Sequence, residues 1–227
     1  MKSTQRTYAL AAGISLLIMA LSAAFSYGYV LSGLEGKGDP AASFTQLISR
    51  ASLFRVSLGG WLLIFLTDLI VSFALYLFFR ETRKGVSLAT LMARLLYTAV
   101  LGTAIIRLFS LLPLLNKQGI DAGAAGSQVL STLQSFEFIW SIGLIIFGLH
   151  LLGLGYLSIL YRQIPKLFGY LLLFAGLAYM VIHTSENLGL RDEVVHKMET
   201  ILMIPMALSE ILLAFWLIIR GGRIRKS

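Results

Sequence analysis

The run that decides the fold class is FRVSLGGWLLIFLTDLIVSFALYLFF, residues 54–79. Its 26 residues include two charged side chains, Arg55 near the start and Asp68 in the middle. A helix of this length extends about 39 Å, which is enough to cross a hydrocarbon layer of about 30 Å. The run therefore predicts a transmembrane helix that carries a carboxylate inside the bilayer.

Other apolar runs of similar length are separated by segments rich in glycine, proline or charge. None shows the strict alternation of a membrane β-strand, which excludes a barrel. The composition agrees, with 57% hydrophobic residues, 13% charged residues and a mean hydropathy of +0.82. We expect an all-α, polytopic bundle of six transmembrane helices that forms a single domain over residues 1–227. The predicted spans are 8–31, 54–79, 86–115, 136–161, 167–184 and 200–219.

The first run follows Lys2 and Arg6, as the apolar core of a signal peptide would. It continues through Tyr29 and Val30, however, and a signal core has about 7–15 residues. We interpret the run as a retained first span rather than a cleaved leader.

Positive charge divides unevenly between the two sets of connections. If the amino terminus is cytoplasmic, the inner set holds 11 Lys and Arg residues and the outer set holds 6. The positive-inside rule then predicts that both termini face the cytoplasm. The net charge of +8 lies mostly at inner helix ends, where anionic lipid headgroups are the expected partner and nucleic acid is not. The inner set is Lys2, Arg6, Arg80, Arg83, Lys84, Arg162, Lys166, Arg220, Arg223, Arg225 and Lys226, and the outer set is Lys37, Arg50, Arg55, Lys117, Arg191 and Lys197.

Two outer connections are long enough to have structure of their own. In the first, Asp39 and Pro40 form a helix-start signal, an N-cap carboxylate followed by proline at the first helical position. The third connection has helical spacing of apolar residues from Ser127 towards the fourth span. We expect a short amphipathic helix in each connection, lying along the outer leaflet. The alternative is a lid over a cavity.

Several kinds of chemistry are excluded by residue content. The chain has no cysteine, so disulfides, thiolate metal sites and cysteine nucleophiles are absent. His150 lies at mid-depth, whereas His183 and His196 flank an outer loop where we expect them to be solvated, so the three do not form a metal or haem site. Sequence motifs of hydrolases, zinc proteases and nucleotide-binding proteins are missing. We therefore predict no cofactor, no metal and no catalytic residue.

Four ionisable residues lie inside predicted spans: Asp68, Arg94, His150 and Glu210. Each is 10 or 12 residues from a cationic residue at the inner end of its span. At helical rise, this spacing puts all four roughly 15–18 Å from the inner boundary. Because they share one depth, we predict that they meet in a polar cluster near the bilayer midplane.

With His150 neutral, the predicted cluster sets two carboxylates against one guanidinium. A net charge of −1 is unfavourable in a low dielectric, so we predict that the cluster binds a proton, shared by His150 with Glu210 or Asp68. In the alternative, Asp68 and Arg94 form an ion pair, Glu210 is protonated, and the cluster serves only as glue between helices. Neighbours at helical spacing extend the polar face of the second span, with Trp61, Ser72 and Tyr76, and of the third span, with Thr90 and Tyr97. Of these we predict Ser72, Tyr76 and Tyr97 as accessory residues of the cluster.

Blocks of sequence spread over the chain add a resemblance. They include GDPAA at 38–42, FGLHLLGLGY at 147–156 and SEILLAFWLIIRG at 209–221. In this order they resemble the bacterial membrane family catalogued as domain of unknown function 4386. The resemblance covers nearly the whole chain and implies a bacterial inner-membrane protein with no assigned reaction.

Three functional classes stay open. The first, which we favour, is a ligand-binding or transport-type protein whose cluster lines a cavity and binds a proton. The second is a noncatalytic membrane subunit, and the third is an enzyme that acts on a lipid. The lack of a metal or nucleophile motif weighs against the enzyme. The expected partners are the lipid bilayer and a small-molecule or lipid ligand, and the sequence gives no oligomeric state.

Overall fold

The computed structural model describes residues 2–116, 121–190 and 193–223. Within these ranges the regular structure is helical, without any strand, which confirms the all-α prediction. The α-helices are α1 Lys2–Ala23, α2 Pro40–Ser49, α3 Ala51–Phe79, α4 Lys84–Phe109, α5 Ala122–Leu160, α6 Lys166–Asn187 and α7 Glu193–Ile219.

Four of the Lys and Arg residues used to predict the orientation lie outside the described residues: Lys117, Arg191, Arg225 and Lys226. The side chains of Lys2, Lys37 and His196 are also outside the described set, so the predicted solvation of His196 stays a prediction.

Five helical stretches are long and apolar enough to cross a membrane, as expected of a multi-pass membrane protein. They are Thr4–Gly33, Ala51–Phe79, Lys84–Asn116, Ala122–Leu160 and Lys166–Asn187. The first includes α1 together with a π-helix, Ala24–Val30, and a 3₁₀ turn, Leu31–Gly33. The predicted sixth span falls on α7, where the apolar part in the described chain, Ile204–Ile219, is shorter.

The two long connections differ from each other. In the first, α2 begins as predicted, because the Asp39 carboxylate accepts a hydrogen bond from the Ala41 amide at 3.1 Å and Pro40 occupies the first turn. In the third, the expected separate helix is wrong. The segment from Ser127 belongs to α5, a single helix of 39 residues that Asp121 caps at the Ala124 amide. No proline or glycine interrupts residues 127–142, so the helix continues into the span.

The chain divides into two compact units. The first unit comprises residues 1–18, 67–99 and 141–227, and the second comprises residues 19–66 and 100–140. The first unit therefore holds α6, α7 and parts of four other helices. It contains all four residues of the predicted cluster.

In the first unit, glycines bring α5 and α6 into backbone contact. A Cβ atom at Gly148 would lie 2.7 Å from the Gly176 carbonyl oxygen, and one at Gly176 would lie 2.8 Å from the Gly148 oxygen. One heptad away on each helix, Gly155 and Gly169 have the same relation at 2.7 and 2.8 Å. Small residues that allow close backbone approach are typical of helix interfaces in membranes. Two glycine pairs therefore fix the distance between α5 and α6.

Also in the first unit, Arg6 of α1 caps the last turn of α7. Its guanidinium donates to the carbonyl oxygens of Leu217 at 3.1 Å, of Gly221 at 2.9 Å and of Ile218. Carbonyl oxygens at the end of a helix carry the negative end of its dipole, so a cation there is favourable. The contact holds α1 against α7.

The second unit has an aromatic core. Trp61, which is 1% exposed, packs edge-on against Phe136 and Trp140 with centroids 4.8 and 5.4 Å apart. Tyr27 packs edge-on against Trp140 at 4.8 Å. Edge-to-face pairs of this kind stabilise beyond the area that they bury. Trp61 thus belongs to the interior of the second unit.

The glycine contact between α5 and α6 can be tested with the smallest steric addition. We expect Gly176→Ala to lower the free energy of unfolding by about 1–3 kcal/mol, because the new methyl group would meet backbone atoms of α5. Gly85→Ala is the matched control, since a Cβ atom there meets nothing within 4 Å and alanine favours a helix by about 1 kcal/mol. Thermal unfolding in detergent measures both. Equal stability of the two variants would contradict the contact.

Candidate polar site

One guanidinium brings the four predicted residues together. Arg94 donates from Nε at 2.8 Å and from Nη2 at 2.6 Å to Oδ1 of Asp68. Its Nη1 lies 2.9 Å from Nε2 of His150 and 3.3 Å from Oε1 of Glu210. We call these four residues the Arg94 cluster. It joins α3, α4, α5 and α7 within the first unit.

The cluster is almost sealed. Asp68 and Arg94 are 0% exposed and His150 is 1% exposed, whereas the Glu210 side chain is 18% exposed. Charged groups so deep inside a protein are stable only when they are paired and hydrogen-bonded. Glu210 is therefore the outermost member of the cluster.

Asp68 is surrounded by donors. Besides the two contacts from Arg94, its Oδ2 accepts a hydrogen bond from the Thr98 hydroxyl. Oδ1 faces only N–H groups of Arg94 and therefore accepts from both of them. The Thr98 hydroxyl also lies 2.9 Å from the Arg94 carbonyl oxygen and has one hydrogen for the two acceptors. Because the Asp68 contact of 2.6 Å is shorter than the Glu210 contact of 3.3 Å, we assign Asp68 as the principal counter-ion of Arg94.

His150 is held in one neutral tautomer. Its Nδ1 lies 3.0 Å from the Thr90 carbonyl oxygen, which can only accept, so Nδ1 carries the hydrogen. Its Nε2 faces the Arg94 guanidinium, which can only donate, so Nε2 accepts. Gly153 makes the approach possible, because a Cβ atom there would overlap the Thr90 hydroxyl. With both ring nitrogens committed, the imidazole has no position for a second proton in this arrangement.

Aromatic rings cover the guanidinium. The Arg94 Cζ atom lies 5.3 Å from the Phe147 centroid, a distance at which a cation is attracted to the face of a ring. Tyr97 packs against Phe147 at 4.8 Å, and Phe147 stacks on His150 at 5.7 Å. Tyr97, an accessory residue of the sequence prediction, thus touches the cluster through Phe147.

A small polar cavity adjoins His150. Its volume of about 10 Å³ is close to the minimum for one water molecule. Ser72 and Tyr76, the other accessory residues, line it together with Ser87 and Thr90. The Ser72 hydroxyl donates to the Asp68 carbonyl at 2.8 Å, and the Ser87 hydroxyl donates to the Tyr76 carbonyl at 3.1 Å. This cavity, formed by described residues, has room for about one water molecule beside the imidazole.

A second polar group surrounds His183, where the expectation of a solvated side chain is wrong. His183 is 8% exposed, and its Nδ1 lies 2.9 Å from Oε2 of Glu186 and 3.0 Å from the Ser141 hydroxyl. Asn187 donates to the same hydroxyl at 2.9 Å. The reason is helix length, since α6 extends to Asn187 rather than ending at 184 and keeps His183 against α5.

Rings connect the two polar groups. Phe147 meets Tyr179 edge-on at 5.5 Å, and Tyr179 stacks on His183 at 5.8 Å. Because Phe147 also stacks on His150, a row of rings extends from His150 to His183. Among the described residues, no three His, Asp or Glu side chains lie close enough to hold a metal ion.

Sequence reasoning missed Thr98, the Thr90 carbonyl and Phe147. Thr98 follows Arg94 by one helical turn, so helical spacing alone could have indicated it. The two others depend on how α4 and α5 approach each other at Gly153. No pattern along the chain gives that approach.

Comparison with known proteins agrees with the resemblance found in the sequence. Residues 11–221 match the family described as "Domain of unknown function (DUF4386)". An "Uncharacterized protein" of Archaeoglobus fulgidus is 28% identical over 168 residues, which are 74% of this chain and 85% of that protein. No solved structure matches.

The ion pair at the centre of the cluster allows a test by partial restoration. Arg94→Gln leaves two carboxylates without a buried cation, and we expect it to lower the stability by about 3–5 kcal/mol. The double variant Asp68→Asn with Arg94→Gln also removes the unpaired charge of Asp68 and should recover part of that loss. Thermal unfolding in detergent compares the two. A double variant as unstable as Arg94→Gln alone would contradict the pairing.

Proposed function

We propose a transport-type function that depends on proton binding for this chain, which belongs to the family domain of unknown function 4386. The observation that carries the proposal is the sharing of one buried guanidinium by two carboxylates and a neutral imidazole. With both carboxylates ionised, the cluster has a net charge of −1. In an apolar interior, that charge favours uptake of one proton.

The proton resides on Glu210. Asp68 accepts twice from Arg94, at 2.8 and 2.6 Å, and both nitrogens of His150 already have partners. Glu210 has the longest contact with Arg94, 3.3 Å, and is the most exposed member of the cluster. His150 acts by accepting from Arg94 and orienting it. The sequence had assigned His150 a share of the proton, and its hydrogen bonds favour this narrower role.

One feature supports exchange of the proton. The cavity beside Ser72, Tyr76 and Ser87 has room for about one water molecule next to His150. The second polar group, at His183 and Glu186, is separated from the cluster by the phenyl ring of Phe147, so we propose no proton path through the rings. We propose that the cavity faces the cytoplasm and that His183 faces the outside.

This direction follows from a proposed arrangement in the membrane. We propose a single domain of six spans in the bacterial cytoplasmic membrane, with α7 as the sixth span and both termini inside. The excess of Lys and Arg in the inner connections supports the orientation. The length of α7, 27 residues, supports the sixth crossing. Any ligand carried with the proton would bind in a conformation with a larger cavity.

The second candidate is a noncatalytic membrane subunit with the cluster as glue between helices. The complete burial of Asp68 and Arg94 favours it, since paired charges can hold helices together without exchanging protons. An enzyme acting on a lipid has no comparable support, because the cavity beside His150 holds nothing larger than water.

Infrared spectroscopy of the reconstituted protein tests the proton site. We expect a protonated-carboxyl band at neutral pH that shifts within minutes in D₂O, because water reaches the site. The band should be absent in Glu210→Gln. It should also be absent in Asp68→Asn, because the positive charge of Arg94 is then compensated by an ionised Glu210. Glu35→Gln, an exposed position, is the control and should keep the band.

Two results would reject the proposal. A carboxyl band that does not exchange in D₂O over hours would support the glue function. A band that survives in Glu210→Gln would place the proton on another group.

A further inference from the structure

The second unit contains a groove between the first turns of α3 and the end of α4. Its volume is about 490 Å³, within the range of about 300–1,000 Å³ that is usual for ligand sites. Apolar side chains form the walls: Leu58, Leu62, Phe109 and Leu112. The groove shares no residue with the Arg94 cluster.

One end of the groove is polar. The exposed Arg55 lies in the first turns of α3 and donates from Nη2 to Oδ1 of Asn116 at 3.3 Å. In the described part of the chain, its partner is thus a neutral amide and not a carboxylate. The guanidinium keeps its full charge and has further N–H groups to donate. An anion fits this end of the groove.

The rest of the groove is open and apolar. Leu62 follows Arg55 by seven residues, which is about 10 Å along α3. Between them, Gly59 leaves the floor open, since a Cβ atom there would meet nothing within 4 Å. The groove therefore combines a cationic end with an open apolar part, and it matches a ligand that has an anion joined to an apolar chain.

We infer that this groove binds one anionic phospholipid, with the phosphate on Arg55 and Asn116 and one acyl chain along Gly59 towards Leu62 and Phe109. A guanidinium is well suited to phosphate because it donates two parallel hydrogen bonds. The polar end lies at a helix terminus and the apolar part extends along the helix, which is the direction of a lipid in a bilayer. The lipid is a resident of the groove and takes no part in proton binding.

Gly59 makes a sharp test possible. Gly59→Leu would place a side chain in the groove from a position where a Cβ atom meets nothing within 4 Å. Because leucine is also the better helix former, we expect the fold to be as stable as before or more stable. Gly85→Leu is the matched control, because a Cβ atom there also meets open space and the position lies outside the groove. Arg55→Gln removes the charge and keeps a polar side chain.

Native mass spectrometry of the full chain in detergent, titrated with phosphatidylglycerol or phosphatidylcholine, measures binding. We expect the natural chain and Gly85→Leu to retain one phosphatidylglycerol, with roughly tenfold weaker retention of phosphatidylcholine, a difference of about 1.4 kcal/mol. Gly59→Leu and Arg55→Gln should each lower phosphatidylglycerol retention about tenfold or more. Thermal unfolding checks that every variant is folded.

Three outcomes would overturn the inference. If Gly59→Leu retains phosphatidylglycerol as the natural chain does, the acyl chain does not occupy the groove and the headgroup is merely adsorbed. If phosphatidylcholine is retained equally well, or if Arg55→Gln keeps the preference, the groove does not select an anionic lipid.

Discussion

The first unit depends on the need to satisfy a guanidinium away from water. Arg94 cannot lose its proton, so its charge and its N–H groups require partners inside the protein. Asp68 accepts from one edge of the guanidinium, and His150 and Glu210 both contact its Nη1. The ring of Phe147 lies near the guanidinium carbon. Each partner comes from a different helix or a different turn. The positions of α3, α4, α5 and α7 are therefore coupled through one side chain.

Close backbone approach makes these partnerships possible. His150 reaches the Thr90 carbonyl because Gly153 allows α4 and α5 to come together. The glycine pairs between α5 and α6 act similarly on the row of rings, since Phe147 is next to Gly148 and Tyr179 is three residues after Gly176. Apolar driving force between helices is weak in lipid, so small residues and buried polar contacts carry more of the packing. Here the two devices occur side by side.

Much of this arrangement could be predicted because a membrane gives every span a common frame. The depth of a residue could be measured along its helix from the charged inner end. Asp68, Arg94, His150 and Glu210 could therefore be assigned one depth without any knowledge of packing. The positions of the charged helix ends do not give the rotation of each helix about its axis or the contacts between side chains. The tautomer of His150 depends on a carbonyl of another helix, and the burial of His183 depends on three further residues of α6. Glycines at heptad spacing, such as Gly148 and Gly155 on α5, do not show along the chain which helix they meet.

The place of Glu210 in the cluster links its charge to the position of α7. Its contact with Arg94 is what joins α7 to the buried ion pair, and the strength of that contact changes when the carboxyl gains or loses a proton. Five residues earlier, Pro205 removes a helix hydrogen bond and makes α7 easier to bend. A proton on Glu210 would weaken the attraction to Arg94 within about one and a half turns of this proline. The proposed proton site is thus also a contact that holds α7 to the buried ion pair.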